Sequence, residues 1–362
     1  MKKVLFLVNH EVVIYNFRRE IVERLITDGY EVHICCPYGE LLDKLVEIGA
    51  IIHDIQIARH GFNPVKEHIL YKNYKKLIQD IKPDICLGFT IKPNLYGAIL
   101  SNKYGVPFVA NITGLGTAVE NPGFKQWILI KIYKYAFKNV QRIFFQNEEN
   151  KEFFDAHGLS YGKGMIIPGS GVNLVRFPYR EYPSDEVIRF AFISRIMKEK
   201  GIEQYLDAAE ALKAKYQNVE FHVCGFCEPE YDGRLKEENS KGIVTYHGMI
   251  HDVASFMKDM NCIVHPTYYP EGMSNVLLEA CATGRPIITT DRSGCREIVD
   301  DGINGYKIPC KNSEKLIEAM DKFINLSYEQ KKNMGIEARH KVEKEFDRQI
   351  VVERYVDEVN RV

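Results

Sequence analysis

Two glutamates, Glu271 and Glu279, flank a small-residue loop and the start of an apolar segment within residues 270–280. Ser274 is a favoured N-cap residue, so we expect a helix to begin there with free backbone N–H groups. Such a helix N-terminus carries a partial positive charge and binds phosphate groups. Glu279 would lie about one turn into the helix, where its carboxylate could accept two ribose hydroxyls. Glu271 would lie near the group that the phosphate carries, so the segment indicates a sugar nucleotide.

A pair of cations precedes these glutamates. Arg195 follows a predicted strand, and Lys200 precedes Gly201 at the start of a predicted helix. A planar guanidinium and a lysine point charge at the carboxyl end of a strand can bind a diphosphate. Open α/β sheets bind their ligands at this edge. The alternative is that the two cations are a solvated pair in a loop. Glu271 and Glu279 would then be solvated residues of an ordinary buried helix.

Several other chemistries fit the sequence less well. A glycosidase needs its two carboxylates on either side of one bond, whereas Glu279 would face the ribose. A nicotinamide enzyme needs glycines after the first strand, and residues 8–16 contain none. Cys224 and Cys227 have a redox spacing, but they end a predicted strand, and no second cysteine pair completes a zinc site.

The sequence contains no Asp-x-Asp pair. Enzymes that need a metal ion to transfer a sugar from a nucleotide use such a pair to hold Mg²⁺ or Mn²⁺ on the diphosphate. The diphosphate would instead be neutralised by Arg195, Lys200 and helix-terminal amides. We therefore expect no metal and no cofactor, with the sugar nucleotide as a co-substrate.

These motifs together resemble the donor site of glycosyltransferase family 4, which contains retaining enzymes of the GT-B fold. The resemblance covers essentially the whole chain. It is carried by Ser194-Arg195, Lys200-Gly201, Glu271, Gly272-Met-Ser-Asn275 and Glu279, and further by segments 168–173, 246–248 and 301–305. Gly114, Gly116 and segment 122–124 resemble the branch that extends lipid-linked or capsular polysaccharide.

The resemblance implies a role for each matching residue. The catalytic residues would be Arg195, Lys200 and Glu271. The donor-binding residues would be Gly114, Gly248, Gly272, Met273, Ser274, Asn275 and Glu279. Asn9, His10, Asn16 and Thr113 do not match the family pattern; they could bond acceptor hydroxyls, although Asn16 could instead cap a helix that begins near Phe17. The chain departs from the family at residues 8–16, which lack its glycine-rich loop, and at Thr113-Gly114, where many relatives carry a histidine.

Short apolar runs alternate with longer periodic segments, which predicts parallel sheets covered by helices on both faces. The predicted strands are 4–9, 31–37, 51–57, 85–90, 107–112, 142–147 and 165–168, then 189–194, 219–225, 243–248, 262–266 and 286–290. The predicted helices include 17–28, 64–81, 92–104, 123–138, 312–325, 328–344 and 347–360. We therefore expect an α/β protein of the GT-B class, with two doubly wound Rossmann-like domains facing across a cleft. An acceptor domain, 1–170, precedes a linker, 171–187, and a donor domain, 188–346; the resemblance implies that the terminal helix, 347–362, packs back on the first domain.

The charge is uneven along the chain. Residues 1–180 carry 23 Lys and Arg against 17 Asp and Glu, whereas the remaining residues carry 25 against 32. The basic half suits an anionic membrane surface and is too dilute in cations for nucleic acid. Segment 124–138 mixes lysines with aromatic residues, as membrane-surface helices do, although it could be an ordinary sheet-covering helix. The nine scattered cysteines and the absence of a signal peptide or membrane span indicate a cytoplasmic protein at the inner face of the membrane.

These inferences predict a metal-independent retaining hexosyltransferase. It would move a hexose or N-acetylhexosamine from a UDP-sugar to a polyprenyl-diphosphate-linked saccharide in surface polysaccharide or glycan assembly. The alternatives are a UDP-N-acetylglucosamine 2-epimerase of the same fold and a non-catalytic nucleotide-sugar-binding subunit.

Overall fold

The computed structural model describes residues 1–57, 61, 63–114 and 123–362. The chain divides into two compact units, one formed by Met1–Ser170 with Gln349–Val362 and the other by Gly171–Arg348. Each unit contains a parallel sheet with helices between its strands. The predicted alternation of strands and helices is therefore confirmed.

The described residues of the first unit form a seven-stranded sheet in the order β3-β2-β1-β4-β5-β6-β7. Its strands are β1 (Lys3–Leu7), β2 (Glu31–Cys36), β3 (Ile51–Asp54), β4 (Ile85–Phe89), β5 (Phe108–Ile112), β6 (Arg142–Phe145) and β7 (Gly164–Ile166). Its helices are α1 (Glu11–Thr27), α2 (Asp43–Val46), α3 (Pro64–Ile81), α4 (Ile91–Tyr104), α5 (Phe124–Phe137) and α6 (Glu148–Ala156). The strands are apolar almost throughout because helices cover both faces of the sheet.

Helix α1 begins earlier than the sequence predicts. Glu11 is its first residue, and the His10 ring accepts a hydrogen bond from the Val12 N–H through Nδ1 at 3.1 Å. Asn16 therefore lies inside α1, and the prediction that it caps a helix beginning near Phe17 is wrong. Histidine is not a favoured N-cap, so local preference pointed to the asparagine further along the chain.

The described residues of the second unit form a six-stranded sheet in the order β10-β9-β8-β11-β12-β13. Its strands are β8 (Ile188–Ile193), β9 (Val219–Cys224), β10 (Thr245–Tyr246), β11 (Cys262–His265), β12 (Ile287–Thr290) and β13 (Gly305–Ile308). Its helices are α7 (Ile202–Lys215), α8 (Pro229–Ser240), α9 (Val253–Met257), α10 (Asn275–Ala282), α11 (Ser313–Ile324) and α12 (Tyr328–Glu345). Strand β13, a short edge strand, is missing from the sequence prediction.

The predicted linker, residues 171–187, is packed into the second unit. Val172 and Phe177 are buried in a core with helix α10. The Tyr182 hydroxyl donates to the Asn261 carbonyl at 3.0 Å. Glycines, prolines and charges in this segment suggested an exposed connection, but its apolar residues anchor it.

The last helix, α13 (Arg348–Asn360), lies mostly in the first unit. Tyr355 and Val359 are fully buried in the core that α1 also covers. The Asn111 side chain donates to the Tyr355 hydroxyl, and Arg142 pairs with the almost fully buried Glu358 at 2.8 Å. Helix α13 therefore completes one layer of the first unit.

Candidate functional site

The turn after β8 is fixed by close packing against the loop after β11. Arg195 follows the strand, and a short 3₁₀ turn over Lys198–Lys200 leads into α7. Gly201 has φ +81°, and a Cβ on it would lie 2.2 Å from the Pro266 carbonyl oxygen. A side chain at this position would force the two segments apart. The two segments therefore meet at the carboxyl edge of the second sheet, where such sheets bind ligands.

Lys200 and Glu271, which lie on these two segments, form an ion pair through Nζ and Oε1. Each side chain is only 13% exposed. His265 Nε2 lies 3.3 Å from the same carboxylate oxygen, and the Thr267 hydroxyl donates to it at 3.4 Å. Glu271 is thus held by a cation and two further polar groups at the end of β11.

Glu271 is ionised in this setting. Burial raises the pKa of its carboxyl, but the Lys200 ammonium and the hydrogen bond from His265 outweigh burial and lower the pKa to about 2. A carboxylate held ionised in a partly enclosed site can accept hydrogen bonds from sugar hydroxyls. It can also stabilise positive charge that develops on a sugar ring.

Tyr269 brings the two cations of this edge onto one aromatic ring. Lys200 Nζ lies 4.9 Å from the ring centroid, and Arg195 Cζ lies 5.8 Å from it. The Arg195 side chain is half exposed and lies 3.8 Å from the Glu228 carboxylate. A cation–π contact made by a half-exposed guanidinium is worth about 0.5–1 kcal/mol, so the ring orients Arg195 without immobilising it.

The loop between Glu271 and α10 is buried. Gly272, Met273 and Ser274 are all buried, and the Ser274 N–H donates to the Gly294 carbonyl at 2.8 Å. Ser274 occupies the N-cap position, as predicted, but its side chain makes no capping hydrogen bond. Within the described part of the chain its buried Oγ has no hydrogen-bond partner. The first turn of α10, which Asn275 opens, is therefore not capped by the serine.

Glu279 lies one turn into α10 in a different electrostatic setting from Glu271. Burial raises the pKa of its carboxyl to about 7, although the Arg176 and Arg348 guanidiniums lower it. The two predicted glutamates thus have pKa values shifted in opposite directions. Groups with perturbed pKa values cluster at functional sites.

Gly248 lies at the same edge of the second sheet, after β10. Its φ is +67°, and its carbonyl accepts a hydrogen bond from the Gly225 N–H at 2.8 Å. Gly225 in turn approaches Ser194 so closely that a Cβ would lie 1.8 Å from the Ser194 carbonyl oxygen. The loops after β8, β9 and β10 therefore pack together beside Arg195.

The predicted acceptor residues belong to the first unit. Asn9 follows β1, and its buried Oδ1 has no hydrogen-bond partner among the residues that the structure describes. His10 caps α1 and Asn16 lies within it, as described above. Thr113 and Gly114 follow β5. Gly116 and Pro122, which helped to define the polysaccharide branch, lie outside the described residues.

Sequence reasoning missed three residues of the site: His265, Thr267 and Tyr269. His265 is the last residue of β11, and Thr267 and Tyr269 lie between it and Glu271. Polar and aromatic residues directly after a buried parallel strand are the signal that could have identified them, because ligands bind at this edge of an α/β sheet.

Among the described residues, no group of three or more His, Cys, Asp or Glu side chains is arranged to hold a metal ion. No helix of that part of the chain is both long and apolar enough to span a bilayer.

Comparison with known proteins shows what each unit resembles. A family model described as "Glycosyl transferase 4-like" matches residues 3–147, and one described as "Glycosyl transferases group 1" matches residues 180–341. The chain is 26% identical to the N,N'-diacetylbacillosaminyl-diphospho-undecaprenol alpha-1,3-N-acetylgalactosaminyltransferase of Campylobacter jejuni, over 96% of each protein. It is also 26% identical to the capsular polysaccharide biosynthesis glycosyltransferase CapM of Staphylococcus aureus, over 92% of this chain and 90% of that protein.

Solved structures share the fold. Anabaena HepE, whose structure was determined in complex with UDP, superposes with a TM-score of 0.81 over 100% of both chains, at 17% identity. The predicted GT-B fold class is therefore confirmed. The resemblance to a GT-B glycosyltransferase is also confirmed: the 4-like model matches most of the first unit, and the group 1 model matches most of the second unit.

Proposed function

We propose that the chain is a retaining glycosyltransferase that moves a hexose or N-acetylhexosamine from a UDP-sugar to a polyprenyl-diphosphate-linked saccharide. The observation that carries the proposal is the network in which Lys200 and His265 hold an ionised Glu271 beside Arg195. The named activity of the Campylobacter relative supports a lipid-linked acceptor, and the capsular relative supports a role in surface polysaccharide assembly. The UDP complex of Anabaena HepE supports a UDP-linked donor.

In this proposal the cations at the carboxyl edge of the second sheet bind the donor diphosphate. Arg195 is half exposed and can turn towards an incoming anion, and Lys200 lies on the same tyrosine ring. They stabilise the charge that builds up on the leaving diphosphate, together with amides of the first turn of α10. Fixed cations would make a metal ion unnecessary.

The two glutamates take different parts of the donor. Glu271, ionised and close to Lys200, accepts hydrogen bonds from the sugar hydroxyls and supports the positive ring of the transition state. Glu279, one turn into α10, accepts the ribose hydroxyls. Gly248, Gly272, Met273, Ser274 and Asn275 shape the donor loops.

The proposed transfer retains the configuration of the sugar. The anomeric bond loosens towards an oxocarbenium ion, the acceptor hydroxyl arrives on the face of the leaving group, and a diphosphate oxygen takes the hydroxyl proton. Among the predicted site residues of the second unit, none is assigned as a general base, because Arg195 and Lys200 are cations and the two glutamates are assigned to donor hydroxyls. Positioning and charge stabilisation then carry the catalysis.

We propose further that the first unit binds the acceptor at the cytoplasmic face of an anionic membrane, with Asn9, His10, Asn16 and Thr113 near the saccharide. Helix α5 supports the membrane part of this proposal. Phe124, Trp127 and Tyr135 are 74%, 57% and 72% exposed, and Lys131 and Lys134 of this helix are exposed beside them. Exposed aromatic and basic residues on one helix suit a membrane interface.

The proposal is tested by a screen for UDP release from purified protein with a panel of UDP-sugars, with and without lipid-linked saccharides. We expect release that depends on the acceptor and yields a larger saccharide, and little release from the Lys200→Met variant. A sugar isomer formed without an acceptor would instead identify an epimerase. Binding of UDP-sugars without turnover under any acceptor condition would identify a non-catalytic subunit.

A further inference from the structure

We propose that Glu228 is a positioning residue of the donor site that also affects specificity. It holds Arg195 until a diphosphate takes its place, and it then disfavours the product UDP more strongly than the UDP-sugar. This inference rests on the proposed function, since it assumes that Arg195 binds the donor diphosphate. Neither the sequence motifs nor the resemblance assigns a role to Glu228.

The backbone fixes Glu228 beside Arg195. Ile196, the residue after Arg195, donates its N–H to the Phe226 carbonyl at 2.8 Å. The carbonyl of Ile196 accepts a hydrogen bond from the Glu228 N–H at 3.1 Å. These two bonds make a parallel bridge between Ile196 and Cys227. The segment that carries Glu228 is therefore held in register with the segment that carries Arg195.

The two side chains form a loose ion pair in this register. Arg195 Nη1 lies 3.8 Å from Glu228 Oε1, and the side chains are 50% and 35% exposed. The Arg195 guanidinium also lies over the Tyr269 ring, 5.8 Å from its centroid. An exposed ion pair of this kind changes an equilibrium constant by up to about fivefold, so Glu228 restrains Arg195 without immobilising it.

The other cation of the site is held more firmly. Lys200 contacts Glu271, and each of these two side chains is only 13% exposed. A ligand that draws Lys200 away takes a cation from a largely buried carboxylate, which is costly. A ligand that draws Arg195 away leaves the Glu228 carboxylate where water can solvate it. Arg195 is thus the cation that a diphosphate recruits more easily, and Glu228 is the group that it displaces.

The displaced carboxylate has a second effect, which depends on the charge of the ligand. Glu228 stays bound to Ile196 through its backbone, so its charge remains near the diphosphate. A terminal phosphate has its second pKa at about 6, so UDP carries roughly two charges there at about pH 8, whereas a phosphate esterified by a sugar carries one. Repulsion between like charges grows with the charge of the ligand. Glu228 therefore disfavours UDP more than the UDP-sugar and helps a new donor to replace the product.

The affinity of Glu228→Gln for UDP tests this inference. Glutamine keeps the size of the side chain and removes its charge. Isothermal titration calorimetry at about pH 8 measures the dissociation constants of UDP and of the UDP-sugar that the release screen identifies, at about 0.1 M and at about 1 M salt. Glu230→Gln is the matched control, because Glu230 is an exposed acidic residue in the first turn of the same helix, α8.

We expect Glu228→Gln to bind UDP about two- to fivefold more tightly than the wild type at about 0.1 M salt, and the UDP-sugar with a smaller gain. Both gains should disappear at about 1 M salt, where exposed charges are screened within about 3 Å. Glu230→Gln should bind both ligands as the wild type does. A purely structural role of Glu228 would not produce tighter binding when the residue is changed.

Unchanged or weaker UDP binding by Glu228→Gln would overturn the inference, as would an equal gain in Glu230→Gln. A gain for the UDP-sugar as large as that for UDP would overturn the effect on specificity. These results differ from a failure of the proposed function, in which the wild type binds no UDP at all.

Discussion

The substitution Lys200→Met probes the ion pair on which the proposed site depends. It removes the ammonium that contacts Glu271 and leaves a carboxylate in a setting where only 13% of its side chain is exposed. Removal of one partner of a buried pair costs about 3–5 kcal/mol. Because His265 and Thr267 still hydrogen-bond to Glu271, we expect the lower end, a loss of about 3 kcal/mol in the free energy of unfolding.

The same substitution should reduce turnover by on the order of 100-fold or more, because it removes charge stabilisation of the leaving diphosphate. Lys331→Met is the matched control. Lys331 pairs with Asp185 at 2.9 Å and is 3% exposed, but it lies on α12, outside the proposed site. The Asp185 carboxylate that it leaves is 27% exposed, so Lys331→Met should lose somewhat less stability than Lys200→Met and should keep its turnover. Urea unfolding and UDP release from folded protein measure the two effects separately.

The same substitution should also change how the free energy of unfolding depends on pH, in a direction that follows from the pKa of Glu271. The pKa of Glu271 in the folded protein, about 2, lies below its ordinary value of 4.5. The group therefore contributes stability above about pH 4.5, and this contribution is lost as the pH falls towards 2. Lys200→Met should raise that pKa and shift the loss to higher pH. An unchanged free energy of unfolding, or an equal loss of turnover in Lys331→Met, would refute the reasoning.

Three further predictions concern the donor, the metal and the membrane. Arg195→Ala should lower turnover by on the order of 100-fold. Glu279→Gln should weaken UDP binding more at about pH 8 than at about pH 6, because the wild-type carboxylate with a pKa of about 7 is ionised only at the higher pH; normal kinetics in both variants would contradict the site. Activity should survive excess EDTA, and a complete loss that Mg²⁺ or Mn²⁺ restores would contradict fixed-cation neutralisation. The protein should sediment with anionic vesicles at low salt and be partly released at about 1 M salt, where charges are screened within about 3 Å. The triple change of Lys131, Lys134 and Lys138 to Glu should abolish this binding and spare UDP affinity, and equal binding by the variant would return α5 to an ordinary sheet-covering role.

Periodicity and strand-end motifs were sufficient to predict most of the fold. Buried parallel strands are continuous apolar runs, and these runs marked β1 and β8 within one or two residues of their observed bounds. The predicted start of α1 was wrong because His10, an unusual cap residue, caps the helix. Strand β13 was missed because Gly305–Ile308 is short and lies at a sheet edge, where the apolar signal is weak.

Part of the candidate site could also be predicted from the sequence, but for a different reason. Residue type and position after a strand were enough to single out Lys200 and Glu271, although 71 residues separate them. Their direct pairing and the contact with His265 depend on how the loops after β8 and β11 pack against each other. A local sequence pattern does not predict this packing. Tyr269 was missed likewise, because its contacts with two cations are formed only in the folded chain.

The anomeric configuration of the product tests the central claim most directly. The proposed site assigns Arg195 and Lys200 to the leaving diphosphate, whose oxygen serves as the proton acceptor on its own face of the sugar. Transfer from an α-linked UDP-sugar to a lipid-linked saccharide should therefore give an α-linked product, identified by its anomeric proton coupling in NMR. A β-linked product would contradict the retaining mechanism and would require a general base on the opposite face of the sugar, with His10 the first residue to examine.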